Sequence, residues 1–163
     1  MQPYDDLFAK HGATARSTNG CSPANPHYFW CAERVAPNSS VLDVGSGLGW
    51  LKPHLPEGVT YKGIDACQGL AESTGDEHCD ILSYTGDKVD YVCCFGVLVK
   101  NDPREQPVNL QAVADKLKSL ANVAVLFAVC LDGFSLQEVE TAFGGLDEVS
   151  PITLGEHFCR VNV

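Results

Sequence analysis

Three glycines at alternate positions follow an apolar segment that contains one acid. The segment is Val41-Leu42-Asp43-Val44, and the glycines are Gly45, Gly47 and Gly49. The β-branched residues favour a strand, and the apolar residues after the glycines favour the start of a helix. Because glycine accepts positive φ and lets a ligand approach bare backbone, this stretch predicts a strand, a tight turn and a helix, with a ligand site at the turn.

The glycine spacing separates two kinds of nucleotide site. A dinucleotide fingerprint needs Gly-x-Gly-x-x-Gly, whereas this chain has Gly-x-Gly-x-Gly with Trp50 in the sixth position. Residues 41–49 instead resemble motif I of the class I S-adenosylmethionine-dependent methyltransferases, in which two hydrophobic residues, an acid and a hydrophobic residue precede Gly-x-Gly-x-Gly. A glycine-rich turn that closes another kind of βα unit is the alternative.

A second predicted strand, residues 59–65, ends on Asp65, which lies 22 residues after Asp43. A nucleotide-binding βαβ unit places a carboxylate there to accept hydrogen bonds from ribose hydroxyls. Gly63-Ile64-Asp65 also resembles motif II of the methyltransferases. As an isolated acid after a strand, Asp65 would be interpreted as a helix N-cap.

The resemblance implies two further cofactor contacts. A third predicted strand, residues 77–82, contains Asp80, where the family commonly has an acid for the adenine amino group; the alternative is a solvated strand end. Residues 83–88 are too few for the usual crossover helix. The apolar run 89–98 resembles motif IV, with Phe95 facing the cofactor. The cofactor-binding residues that the resemblance implies are Asp43, Gly45, Ser46, Gly47, Leu48, Gly49, Asp65, Ala66, Asp80, Ile81 and Phe95.

The remaining periodicity completes an α/β pattern. Apolar residues at helical spacing follow Pro107, a nearly unbroken strand covers 122–130, and a second helix runs from Ser135 to Gly144-Gly145. Residues 148–153 and 157–163 look like a closing hairpin. The fold implied is one domain over residues 1–163, with a Rossmann-like core from residue 37. It is a three-layer sandwich whose seven-stranded, mostly parallel sheet has the order 3-2-1-4-5-7-6 and an antiparallel C-terminal strand.

Residues 1–36 precede this core and match no family pattern. They predict two short helices, Asp5–His11 and one that starts at Pro26 and runs to Arg34. The second helix is either an amphipathic helix packed on the sheet or part of a cap over the active site. If the reaction uses a general base, the candidates in the whole chain are His27, Tyr4, His11, Lys100 and Asp132. The alternative for Lys100, which its sequence context favours, is a solvated loop residue.

Charge and cysteine content restrict the partners. A net charge of −10 and a pI near 4.7 disfavour a nucleic-acid substrate, since phosphate binding needs clustered Lys and Arg, and so favour a small-molecule substrate. The eight cysteines form no Cys-x-x-Cys pair, and no secretory signal precedes them, so we expect reduced thiols, no metal site and a cytoplasmic location. No apolar run is long enough for a membrane span. The oligomeric state stays open.

The function implied is methyl transfer from S-adenosylmethionine, because motifs I, II and IV occur together in order. The alternative is a cofactor-binding regulatory or accessory module without its own transferase activity. The missing crossover helix and the lack of a recognisable substrate insertion favour this alternative. An NAD-dependent oxidoreductase is a third class, which the glycine spacing disfavours.

Overall fold

Seven strands form one sheet in the order β3-β2-β1-β4-β5-β7-β6, which confirms the predicted order. The computed structural model describes residues 26–98, 108–130, 134–151 and 156–163, apart from the side chains of Cys130 and Glu156. Strands β5 and β7 pair antiparallel, as do β6 and β7, and the other pairs are parallel. The strands are β1 (Ser40–Val44), β2 (Thr60–Asp65), β3 (Glu77–His78), β4 (Val89–Cys94), β5 (Ala121–Cys130), β6 (Glu148–Pro151) and β7 (Glu156–Asn162).

Helices cover both faces of this sheet. They are α1 (Pro26–Ala32), α2 (Gln68–Thr74), α3 (Leu110–Leu120) and α4 (Leu136–Phe143), with 3-10 helices at Lys52–His54 and Ile81–Ser83. Their ends follow the expected chemistry: Ser135 and Glu138 form a capping box at the start of α4, and Gly144 ends it with φ of 78°. Helices α3 and α4 cover one apolar face of the sheet, and α1 covers the other.

Three elements differ from the sequence prediction. The α-helix predicted directly after the glycines is replaced by turns and the 3-10 helix at Lys52–His54. Pro53 disfavours an α-helix there because it lacks an amide donor and its ring clashes with the preceding turn. Strand β3 has two residues instead of the predicted six, since Asp80 caps the 3-10 helix at Ile81–Ser83. Strand β4 ends at Cys94, and Gly96 follows with φ of 72°. The predicted absence of a full crossover helix between β3 and β4 is confirmed, because the described residues 79–88 contain only that 3-10 helix.

Helix α1 runs opposite to the strands of the central sheet. The side chain of Arg34, just past its end, pairs with both carboxylate oxygens of Glu148 at the start of β6, with 2.9 Å from Nε to Oε2. The Arg34 guanidinium also lies 4.0 Å from the centroid of the Trp30 ring. Since β6 is parallel to β5, its start lies at the amino edge of the sheet, so the first residues of α1 lie at the carboxyl edge.

Replacing Arg34 by alanine should lower the free energy of unfolding by about 1 to 2 kcal/mol, because a two-point charged contact and the packing on Trp30 are both lost. Chemical denaturation would measure it. Glu33→Ala is the control, since Glu33 is mostly exposed and only 3.7 Å from Arg34, and it should change stability by less than about 0.5 kcal/mol. Equal losses of unfolding free energy in the two variants would contradict a stabilising role for the contacts of Arg34 with Glu148 and Trp30.

The described cysteines Cys31, Cys67, Cys79, Cys93, Cys94 and Cys159 are free thiols. Burial raises the pKa of Cys94 and of Cys159 to about 12, so both thiols are protonated at neutral pH. Among the helices that the structure describes, none has the length and apolar character needed to cross a bilayer.

Candidate functional site

The predicted cofactor residues meet at the carboxyl edge of the sheet. Strands β1, β2, β3 and β4 are parallel neighbours, so their carboxyl ends share one edge. Ligands of open α/β sheets bind at this edge. The structure therefore brings the glycine turn, the end of β2 and the start of the segment after β4 together.

The alternate glycines all have positive φ, with 71° at Gly45, 58° at Gly47 and 67° at Gly49. This conformation costs a residue with a Cβ about 1 to 2 kcal/mol, which explains the alternate spacing. The amides of Gly45 and Ser46 both donate to the carbonyl oxygen of Ile64, at 2.9 and 3.1 Å. The turn is thus tied to the last residues of β2, and its glycines remain half-buried at the surface.

Asp65 holds this turn from the end of β2. Its Oδ2 accepts from the Gly47 amide at 2.9 Å, and its Oδ1 accepts from the Cys67 amide at 2.8 Å. The side chain is buried, with 2% of its surface exposed. The carboxylate therefore acts as a bracket between the glycine turn and the segment that leads into α2.

Asp43 is the second buried acid. It lies on β1 and accepts a hydrogen bond from the Tyr61 hydroxyl at 3.0 Å. Burial, followed by the nearby charges of Asp76 and Asp65, raises its pKa from 3.8 to about 7, against the opposing effect of the Tyr61 hydrogen bond. Burial also raises the pKa of Tyr61, which keeps the hydroxyl protonated as a donor.

A third acid, Asp76, braces the turn from behind. Its Oδ2 accepts from the Ser46 hydroxyl at 2.7 Å and from the Thr74 hydroxyl at 2.9 Å. It lies against Gly63, where an added Cβ would come within 2.4 Å of the carboxyl carbon. Gly63 thus leaves the room that brings Asp76 to Ser46.

Asp80 and Ile81 follow β3 at the same edge. Asp80 is exposed and its Oδ1 accepts from the Leu82 amide at 2.8 Å, so it caps the 3-10 helix. Ile81 is buried against the α3 side of the sheet. Ala66, next to Asp65, is half-buried, as is Leu48.

Phe95 stands beside the glycine turn. It directly follows β4, whose last residue, Cys94, pairs with Val44, the residue that precedes Gly45. The His27 ring lies 5.8 Å from the Phe95 ring, measured between centroids. Of the general-base candidates, His27 is therefore at this edge; Tyr4, His11, Lys100 and Asp132 lie outside the described residues.

Tyr61 and Asp76 are site residues that the sequence reasoning missed. Tyr61 sits two positions before Gly63 on the predicted strand, so a strand-pairing argument could have placed it near Asp43, but only with the register known. Asp76 follows Gly75 at the end of α2 and carries no motif signal. Within the described part of the chain, no three His, Cys, Asp or Glu residues are grouped as metal ligands.

Gly45→Ala should lower the free energy of unfolding by about 2 to 3 kcal/mol, because strain at positive φ adds to a steric overlap. The new Cβ would lie 2.3 Å from Cγ2 of Val97. Gly75→Ala is the matched control, since Gly75 has φ of 75° and open space around it, and it should show the backbone cost alone. Adding Val97→Ala to Gly45→Ala should remove the steric part of the stability loss, and a double-mutant cycle would measure this coupling. Equal costs for the two alanines would contradict the packing of Val97 on the turn.

Comparison with known proteins identifies the fold. No protein-family model matches the sequence, and no curated protein matches it significantly. Solved structures do match. The 1,6-didemethyltoxoflavin-N1-methyltransferase of Burkholderia thailandensis, crystallised with S-adenosylhomocysteine, superimposes with a TM-score of 0.75 at 13% identity, covering 96% of this chain and 85% of that one. The chain has the fold of the class I S-adenosylmethionine-dependent methyltransferases.

Two further structures show how widely this fold is used. Magnesium protoporphyrin IX methyltransferase from Synechocystis PCC 6803, with bound S-adenosylmethionine, has a TM-score of 0.66 at 17% identity, covering 83% of this chain and 75% of that one. The ribosomal protein L11 methylase of Lactobacillus delbrueckii subsp. bulgaricus has a TM-score of 0.63 at 16% identity, covering 83% and 76%. The named acceptors include a tetrapyrrole and a protein, so the methyltransferase fold does not by itself determine the acceptor.

Proposed function

We propose that this protein transfers a methyl group from S-adenosylmethionine to a small-molecule acceptor. The observation that carries the proposal is the set of three alternate positive-φ glycines after β1, tied to the end of β2 through Asp65. Similar structures that contain the cofactor or its demethylated product share this fold and support the assignment.

The residues present fit the cofactor in kind and in place. The half-buried backbone of Gly45 to Gly49 would lie under the methionine portion, and Asp43 would face its ammonium group. Asp65, at the end of β2, would accept from the ribose hydroxyls, since each oxygen of a carboxylate can accept more than one hydrogen bond. Asp80 and Ile81 would line the adenine end, with Ala66 and Phe95 beside the ribose and the reacting centre. The segment directly after the glycines forms turns and a 3-10 helix, so carboxylate binding by the methionine portion would rely on the amides of the turn.

The cofactor supplies an activated methyl group when bound, and the protein needs to align the acceptor and exclude water. The acidic composition, with a net charge of −10, supports a small acceptor over a nucleic acid. Transferase activity is favoured over a purely regulatory role because the aromatic edge at Phe95 borders the glycine turn, where an acceptor would have to stand.

Calorimetry with three ligands tests the proposal. S-adenosylmethionine and S-adenosylhomocysteine should bind, and NAD should not. Incubation with methyl-labelled S-adenosylmethionine and a small-molecule extract should then give a labelled metabolite. If both sulfur compounds fail to bind at millimolar concentration, the proposed function is wrong; binding without transfer to any extract component would support the regulatory alternative.

A further inference from the structure

The start of α1 forms a ring-lined wall at the carboxyl edge. Residues four apart on a helix share a face, and residues two apart on a strand share a face. Accordingly the His27 ring packs beside the Phe95 ring, while one turn along the helix the Cys31 Sγ lies 3.2 Å from the Cys93 Sγ of β4. Helix α1 is therefore held in register on β4, with its first turn at the reacting edge.

The His27 ring is oriented by two phenyl rings. Phe158 on β7 meets it edge-on at 4.9 Å between centroids, with an interplanar angle of 77°, and Phe158 itself is buried. Phe95 meets it at 5.8 Å with an angle of 57°. His27 and Phe95 are half-buried, so this pair reaches the surface while Phe158 supports it from inside.

This wall stands close to where the methyl group would be presented. Phe95 and Gly45 directly follow Cys94 and Val44, the last paired residues of β4 and β1, and neighbouring strands are about 4.8 Å apart. A planar ring presented to Phe95 and His27 would gain offset or edge contacts that a saturated ring of the same size would not. An imidazole beside that ring is also a suitable proton acceptor near neutral pH.

We propose, on the basis of the proposed function, that the acceptor is a planar aromatic compound with a hydroxyl or ring N–H, bound against Phe95 and His27, and that His27 takes its proton. The acceptor heteroatom forms the bond to the methyl carbon as the carbon–sulfur bond breaks and its electron pair remains on sulfur. The heteroatom proton passes to a ring nitrogen of His27. The products are the methylated acceptor, S-adenosylhomocysteine and an imidazolium, which returns its proton to water.

A binding experiment tests the ring wall without catalysis. Saturation-transfer NMR with S-adenosylhomocysteine present should detect 1-naphthol binding to the wild type and much weaker binding of its saturated analogue, decahydro-1-naphthol. Phe95→Ala and His27→Ala should each weaken naphthol binding about three- to tenfold. Phe29→Ala is the control on the same helix, because Phe29 is half exposed and its ring contacts His54 instead. Equal binding of the two alcohols, or unchanged naphthol binding in the two site variants, would overturn the proposal that an aromatic acceptor binds against Phe95 and His27.

A rate experiment tests the proton acceptor. With the unmethylated form of the labelled product as acceptor and S-adenosylmethionine as donor, His27→Gln should lower kcat about 100- to 10,000-fold while S-adenosylhomocysteine affinity stays unchanged. Added imidazole should restore part of the activity of His27→Ala, which a merely structural role would not allow. Full activity of His27→Gln, or a labelled product without an aromatic ring, would overturn this inference and leave the proposed function standing. Failure of the wild type to bind the sulfur compounds would instead overturn the proposed function.

Discussion

Replacing Asp65 by alanine should lower the free energy of unfolding by about 2 to 5 kcal/mol and weaken cofactor binding by about 1 to 3 kcal/mol. The stability loss follows from the two amides of Gly47 and Cys67, which would lose their acceptor in a buried place. The affinity loss follows from the proposed ribose contact. Denaturant titration and calorimetry with S-adenosylhomocysteine on the folded variant would measure the two effects.

Asparagine at position 65 should not rescue the site. Both partners are amide donors, and an asparagine side chain offers one acceptor oxygen and one donor group, so one amide would face another donor. Asp115→Asn is the matched control, since Asp115 is a mostly exposed acid on α3 and should leave both quantities unchanged within about 0.5 kcal/mol. An Asp65→Ala protein with wild-type stability would refute the bracket, and wild-type affinity in the folded variant would refute the ribose role.

The wild-type protein should lose stability as pH rises from about 4 to 7 because of Asp43, and Asp43→Asn should remove this loss. The pKa of Asp43 is raised by burial from 3.8 to about 7, so the folded protein holds a proton that the unfolded chain has released across this window. Stability from this group is therefore highest below about pH 4 and falls as pH rises towards 7. The shift spans about three pH units at about 1.4 kcal/mol each, so the change amounts to about 4 kcal/mol at most.

The measurement is the difference in unfolding free energy between Asp43→Asn and wild type at several pH values. The variant should gain stability relative to the wild type between about pH 4 and 7, and the difference should then level off. The reason is that asparagine still accepts from Tyr61 but, unlike Asp43, cannot become charged as pH rises. Asp115→Asn serves again as the reference and should show no such trend. A difference that stays constant with pH would contradict the raised pKa.

Cofactor binding gives the same group a second test. In the proposed complex the ammonium group of the ligand lies next to Asp43 and favours its ionised form, so S-adenosylhomocysteine should bind the wild type more tightly as pH rises through this window. Asp43→Asn should bind it more weakly, and the pH dependence that Asp43 contributes should be gone. Calorimetry in buffers of different ionisation enthalpy would show proton release in the wild type alone. Equal proton release in both proteins would place the ammonium contact elsewhere.

Features determined by neighbouring residues could be predicted from sequence. The three alternate glycines needed no tertiary information, because their positive φ angles are a property of the turn itself. The cap at Ser135 and the stop at Gly144 were likewise local. The strand order followed from the resemblance to the methyltransferases, and the structure confirms it.

Two other elements are shorter or less regular than their sequence patterns predict, because local interactions compete with them. Residues 77–82 look like a strand, but only two of them pair with β2, because Asp80 forms a local cap instead. The apolar residues after the glycines favour the start of a helix, but Pro53 reduces the regular part of this segment to a 3-10 helix. A local hydrogen bond prevents the longer strand in the first place, and a proline prevents the α-helix in the second.

For the glycine turn, the sequence by itself determined its conformation and the acid that follows on the next strand, since both depend on residue type and spacing. Tertiary structure alone decided that Asp65 accepts from the Gly47 amide, that Tyr61 donates to Asp43 and that the His27 ring packs beside Phe95. The physical reason is register. Which side chains meet across strands and between α1 and the sheet depends on how distant segments align when their apolar faces are buried together.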